Sequence, residues 1–336
     1  TRDDHPFIDS LEVGDRFDGY FVLRTLQLAS TRANKPYLIL DLTDRTGHIR
    51  GKLWEEADVA YRALKPGEVV KVRAMAEEYL GRIELKVLRI RPVATEDVGD
   101  MSRFLPTREG GPEEDWEILH KAIEAMEHPG LKALLSGLFE DESFRADFEV
   151  APAGKRWHHG YLGGLLEHTA SMVKLAARVV DHYRDLDRDI LTAGAILHDV
   201  GKLRELRYDT AIDYTTAGRL VGHIVLGDEF VREHGRGVEG LDEETLTRLR
   251  HLVLSHQGML EYGSPVKPMT REAIVLYFLD ELDSKLNAVN RELAKAEGGG
   301  GEFTEYIPLL ERMLYKGPQR KDEEGGGSKA APSPGQ

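Results

Sequence analysis

Six residues of metal-ligating type fall where a folded helix would turn them inward, and together they have the chemistry to hold a divalent cation. The chain contains no cysteine, so any metal must be bound through imidazole nitrogen and carboxylate oxygen. The densest piece is Ile196-Leu197-His198-Asp199-Val200-Gly201-Lys202. It sets an imidazole beside a carboxylate at the end of an apolar run, and burying such a pair costs stability unless something satisfies it. A divalent cation does so. Gly201 reads as the residue that lets the chain turn sharply, and Lys202 as an ammonium directed toward a bound phosphate. His168 lies on the helical stripe Leu165, Met172, Leu175, Val179; alone, it would be an ordinary core histidine. His223 follows Gly222, and His256 shares a stripe with Leu246, Leu249 and Val253. Asp280 follows Tyr277-Phe278-Leu279 and shares a face with Ala273 and Tyr277, with Asp283 as the second choice one turn later. The joint expectation is a metal site of His168, His198, Asp199, His223, His256 and Asp280.

Four other histidines read differently. His251 lies five residues before His256, about 140° away around a helix, and is expected to face solvent. His234 sits near a helix end. His158 and His159 lie in a loop just before the first ligand helix, where they either contact substrate or structure the loop.

Ligands so placed need a helical frame. From Glu113 onward the apolar spacing is helical, with candidate helices at 120–127, 131–139, 165–183, 190–198, 220–234, 243–256 and 271–297, and a last short one near 307–315. Asp242 and Thr270 open two of them. Upstream, segments 20–23, 37–40, 48–53, 69–72 and 83–87 read as short strands separated by turn signals at 34–36, 44–47 and 65–68. Residues 57–64 form a short helix between the third and fourth strands. That order predicts a five-stranded Greek-key barrel of the OB type. The expected fold is therefore a multidomain α+β chain: an OB-type β-barrel at 10–95, a linker at 96–112, an all-α domain at 113–316 and a disordered Gly/Pro/Ser tail at 317–336.

Composition narrows the classes. The 336 residues are 41% apolar and 31% charged, as in globular proteins. No apolar run is long enough to span a bilayer and no secretory signal opens the chain, so the expected location is cytoplasmic, with no membrane partner. The net charge of −14 is uneven: residues 1–95 carry 16 basic against 15 acidic side chains, leaving 29 against 44 for the rest. A bound cation would let the acidic half act on phosphates. The barrel offers Tyr20, Phe21, Tyr37, Trp54 and Tyr79 with Arg32, Lys35, Arg50, Lys52 and Arg82, types that stack bases and track phosphates of single strands. Most strand aromatics are core; Trp54, flanked by Lys52 and followed by acidic residues, is the first expected to meet a single strand, with Lys35 among the cations nearby.

The stretch Lys155-Arg156-Trp157-His158-His159-Gly160-Tyr161-Leu162-Gly163-Gly164-Leu165-Leu166-Glu167-His168-Thr169 resembles the HD phosphohydrolase superfamily and, more closely, the YhaM family of 3'-5' exoribonucleases, which join an OB-fold to an HD domain. The resemblance continues through 196–202, Gly222-His223-Ile224, Leu254-Ser255-His256, Glu261-Tyr262-Gly263-Ser264-Pro265 and Leu279-Asp280-Glu281-Leu282-Asp283-Ser284-Lys285. It implies a first ion on His168, His198, Asp199 and Asp280, and a second on His223 and His256 with Asp199 bridging. Asp199 and Lys202 carry the catalysis, while Lys155, Arg156, His158, His159 and Ser264 meet substrate. His158, His159 and Lys202 are the candidates to protonate the leaving oxygen. The implied activity is 3'-5' hydrolysis of single-stranded RNA, with single-stranded DNA as a further substrate, by water activated at Mn²⁺; Mg²⁺, Fe or Ni are the other ions of this donor set. Relatives commonly carry two adjacent histidines where this chain has His256-Gln257, a departure that bears on the second ion. Two other readings stay open: an HD nucleotide phosphohydrolase or phosphodiesterase, and a single-strand-binding factor with weak hydrolase activity. The GYP signature of cyclic-di-GMP enzymes is absent from the sequence. The long helix at 271–297 could support a homo-oligomer.

Overall fold

The computed structural model describes residues 6–31, 33–94, 98, 103–108, 110–155, 159–296, 301–308 and 310–317. Alternating apolar residues build the first domain. The strands are β1 (Arg16–Ser30), β2 (Pro36–Asp44), β3 (Gly47–Leu53), β4 (Val69–Tyr79) and β5 (Arg82–Pro92), with α1 (Ala57–Ala63) between β3 and β4. They close in the order β1-β2-β3-β5-β4; β3 and β5 are parallel and every other pairing is antiparallel. This is the OB-type barrel expected from the sequence. In β2 the residues Leu38, Leu40 and Leu42 all point inward and are fully buried, meeting Phe21, Leu23, Val70, Val72 and Leu85. A one-residue register slip would turn that apolar set outward, so alternation fixes the pairing.

The helical domain comprises α2 (Glu113–Glu124), α3 (Pro129–Glu140), α4 (Glu142–Val150), α5 (Gly164–His182), α6 (Arg188–Leu197), α7 (Lys202–Glu205), α8 (Thr216–Leu220), α9 (His223–Gly235), α10 (Glu243–Ser255) and α11 (Arg271–Lys295). A two-stranded pair, β6 (Leu206–Arg207) and β7 (Asp213–Tyr214), interrupts them. Asp141, Asp187, Thr215 and Asp242 cap their helices by accepting backbone N–H bonds. From Ile190 to Leu197 every residue of α6 is buried, which makes it the central helix, packed against α5 and α10. Its last residue delivers the chain into His198 at the middle of the core.

The structure departs from the sequence expectation in several places: α4 matches no expected helix, and the pair β6–β7 interrupts a domain expected to be all-α. The expected helix at 220–234 is two helices broken at Gly222, whose φ of 81° no L-residue favours, so His223 starts α9 rather than lying within a helix. The helix expected at 307–315 is a reversal: Phe303 bridges Tyr315 and Ile307 bridges Arg312, with Glu311 in the left-handed region at φ 54°. Within the segment expected to be a bare linker, Phe104 and Leu105 are buried. Among the described residues, no helix is long and apolar enough to cross a membrane. The tail from 318 lies outside the described residues.

Candidate metal centre

Five helices send one or two polar side chains each into the core. His168 comes from the second turn of α5, His198 and Asp199 follow α6, His223 opens α9, His256 caps the end of α10, and Asp280 and Asp283 come from α11. His168, His198 and His256 are fully buried, with Asp199 at 2% and Asp280 at 7% exposure. Three ligand atoms of His168, His198 and Asp280 lie within 4.8 Å of one another, as do three of Asp199, His223 and His256. All six expected ligands are thus brought together, as two triads.

Asp199 lies between them. Its Oδ2 is 3.7 Å from His168 Nε2 and 3.4 Å from His198 Nε2, while its Oδ1 is 3.6 Å from both His223 Nε2 and His256 Nε2. One oxygen faces each triad. Every imidazole also has its Nδ1 engaged elsewhere. His198 Nδ1 bonds the Ala195 carbonyl at 3.0 Å and His256 Nδ1 the Val253 carbonyl at 2.7 Å. His168 Nδ1 bonds Asp283 Oδ2 at 2.8 Å and His223 Nδ1 bonds Glu205 Oε1 at 3.1 Å. A ring that donates through Nδ1 presents Nε2 as its lone pair, so His198, His223 and His256 aim an acceptor nitrogen inward, while His168 Nε2 lies 3.1 Å from His198 Nε2 and 3.4 Å from Asp280 Oδ1.

Two atoms of the cluster, Asp199 Oδ1 and His223 Nε2, are buried with no hydrogen-bond partner. Leaving such an atom unpaired costs about 1–3 kcal/mol, and a divalent cation at the Asp199 triad satisfies both. The donors are all nitrogen and oxygen, the set that suits hard and borderline divalent ions.

The charges are tuned by the same contacts. Burial disfavours the charged form of His168, yet hydrogen bonds to Asp280 and Asp283 outweigh it and raise the ring to about 9. Burial, helped by the nearby His198, pushes His256 down to about 3. Burial works against ionisation of Asp199 and Asp280 as well. Even so, Lys202 and His198 hold Asp199 well below the carboxylate range, and His168 with His198 does the same for Asp280.

Of the remaining expected site residues, Lys202 and His159 contact the cluster. Lys202 is buried, and its Nζ donates to Asp199 Oδ2 at 2.5 Å; the ammonium braces the carboxylate from within. His159, 4% exposed, bonds Asp283 through Nε2 at 3.1 Å and Tyr161 Oη through Nδ1 at 2.9 Å. Its backbone is left-handed at φ 44°, and a Cβ at Gly164 would lie 2.1 Å from its carbonyl oxygen. Ser264 is buried, with its Oγ unpartnered. Lys155 bonds Asp213 at 2.6 Å. On the barrel, Lys35 is exposed and Trp54 stacks on Tyr37 with ring centres 4.5 Å apart. His158 and Arg156 lie outside the described residues. His251, expected in solvent, is half-buried and accepts the Met269 amide hydrogen.

Gly201 has a reason the sequence did not show. Its φ of −62° and ψ of −17° are ordinary helical values, so no special turn is needed. A Cβ there would meet the His223 carbonyl oxygen at 2.0 Å and the Gly227 nitrogen at 2.6 Å. The glycine lets α9 approach the Asp199 turn closely. Sequence reasoning missed Glu205, whose Oε1 accepts from both the His223 backbone N–H and its ring. Glu205 lies 18 residues before His223, and no apolar spacing in the sequence ties the two together. Ser171 and Ser284, which donate to Asp283 and Asp280, gave no signal.

Comparison with known proteins agrees with this architecture. The family model of the HD domain matches residues 165–285, and that of the OB-fold nucleic acid binding domain matches residues 23–93. The 3'-5' exoribonuclease YhaM of Bacillus subtilis is 36% identical over 308 residues, 91% of this chain and 96% of the relative. The protein of the same name from a Geobacillus strain is 37% identical over 308 residues, covering 91% and 93%. Among solved structures, the second OB-fold domain of replication protein A from Methanococcus maripaludis aligns with 26% of this chain and 94% of its own, at 21% identity and a TM-score of 0.23.

Proposed function

This chain belongs to the YhaM family of 3'-5' exoribonucleases, and on that premise we propose that it removes nucleotides from the 3' end of single-stranded RNA at the cluster around Asp199. The observation that carries the reading is the division of Asp199 between two triads, one carboxylate oxygen to each. His168, His198 and Asp280 would hold one divalent cation and His223 with His256 a second, Asp199 being shared. Mn²⁺ is the ion we assign, favoured by the oxygen-rich phosphate chemistry; a cation so bound would lower the pKa of water and neutralise charge on the non-bridging phosphate oxygens.

The chain's own groups prepare that chemistry. Lys202 keeps Asp199 ionised and fixes its rotamer. Asp283 and Glu205 orient the rings of His168 and His223, so Asp283 acts behind a ligand instead of as one. His159 extends that support to the loop ahead of α5, where Lys155 lies. Ser264, with its unpartnered hydroxyl, is free to bond a substrate phosphate or ribose. Gln257 places its side-chain nitrogen 3.4 Å from His256 Nε2. That amide must turn aside before the nitrogen can bind an ion, which makes the second position the weaker one.

A 5'-labelled single-stranded RNA incubated with Mn²⁺ should shorten stepwise from its 3' end. Asp199→Ala should abolish this, and Asp199→Asn, which keeps the shape and spares Lys202 a bare neighbour, should do the same. Ribonuclease activity surviving both changes would sink the assignment.

A further inference from the structure

On most of the barrel's outward face, charges meet opposite charges. Lys52 of β3 bonds Glu84 of β5 at 2.6 Å, Lys86 lies 3.7 Å from Glu77, and Arg24 lies 3.7 Å from Asp41. The beginning of β4 and the end of β5 differ. Their antiparallel register sets Lys71 opposite Arg91 and Arg73 opposite Arg89. Like charges directly opposite one another destabilise a sheet. Asp18 of β1 takes up Arg73 through two bonds, at 2.6 and 2.8 Å. Among the described residues, Lys71, Arg89 and Arg91 form no ion pair with a carboxylate. The Lys71 ammonium stands 5.2 Å from the centre of the Tyr20 ring, and Arg91 reaches only the Pro92 carbonyl, at 3.5 Å.

These side chains line a groove of about 650 Å³ between the strands and α1, with four cations and three carboxylates (Asp18, Glu55, Glu56) on its walls. Among the described residues, the groove beside Trp54, about 370 Å³, has Lys35 as its single cation against Glu55, Glu56 and Asp58. Phosphates are therefore drawn to the first groove and repelled by the second.

We propose that Lys71, Arg89 and Arg91, on the outward ladder of β4 and β5, form a phosphate-binding site for single-stranded RNA. This rests on the ribonuclease reading above. Bound phosphates supply the negative charge the ladder lacks, so the repulsion built into the free barrel is relieved when RNA is present.

The test replaces all three cations in the full chain, K71Q/R89Q/R91Q, and measures binding of a labelled single-stranded RNA in EDTA across a salt series. Each lost phosphate contact flattens the log–log salt dependence by about 0.7, so the slope should fall by about 2 and affinity near 0.1 M salt by at least about tenfold. The thermal midpoint should hold or rise, because a like-charge repulsion has been removed; residues of merely structural value would lower it. K174Q/R178Q/R184Q, which changes net charge equally at exposed positions of the helical domain, should leave the slope near the wild-type value. If the triple misfolds, R89Q and R91Q tested singly should each flatten the slope by about 0.7. Unchanged affinity and slope in the ladder variants, or an equal loss in the control, would overturn the site while leaving wild-type RNA shortening intact. Wild-type protein that neither binds nor shortens RNA would remove both readings together.

Discussion

At the scale of single residues, the cluster divides into atoms that would touch a cation and atoms that hold those atoms still. On the proposed reading Asp283 belongs to the second group, through its 2.8 Å bond to His168 Nδ1. Asp283→Asn should weaken cation binding about 10–100-fold, the usual cost of losing such a partner, whereas Asp280→Asn should remove the first ion; calorimetric titration with Mn²⁺ separates the two. The protonation of His168 gives a second prediction. In the cation-free protein its ring titrates at about 9, above the unfolded value near 6.5. Its stabilisation is complete below about 6.5 and is lost as pH rises through 9. His256, depressed to about 3, acts the opposite way and only below 6.5. The thermal midpoint of the cation-free protein should therefore decline between pH 6.5 and 9, and His168→Asn should flatten that decline. Much of this scale was legible in the sequence, because each of the six ligands sits on an apolar stripe or beside one. Asp283 was legible only as an alternative to Asp280, and Glu205 and the serines were not legible at all, since a hydrogen bond made around the back of a ligand leaves no periodicity.

At the scale of elements, close approach matters more than helix propensity. Gly201 and Gly227 let α9 cross the turn after α6, and this contact sets His223 against Asp199. Gly201→Ala forces a methyl group to within 2.0 Å of the His223 carbonyl oxygen. Overpacking of this kind costs about 1–3 kcal/mol, and the displaced ring should weaken the second ion more than the first. Thermal unfolding and a two-site titration check both parts; an alanine variant of wild-type stability would mean α9 can shift freely. The barrel strands were legible from alternation, and the structure mainly lengthens them. The helix break at Gly222 was not, because residues 220–234 keep a helical apolar spacing across it. What starts α9 anew is the distant carboxylate of Glu205.

At the scale of the whole molecule, a chain of net charge −14 concentrates carboxylates and imidazoles at the heart of its helical core. An ion bound only by the folded state stabilises it by about 2.7 kcal/mol at a hundredfold excess over Kd. Mn²⁺ should accordingly raise the unfolding midpoint, and chelation should lower it; calorimetry with and without EDTA reads the difference. The two triads also differ in depth. His168 and His198 are sealed from solvent, while the His223 side chain retains 18% exposure. That asymmetry has a consequence in time. An ion at the outer triad would exchange through the His223 side more readily than one at the inner triad, where only the Asp280 side chain retains exposure, 10%. The inner position should hold whichever ion the newly folding chain captured, long after its surroundings have changed.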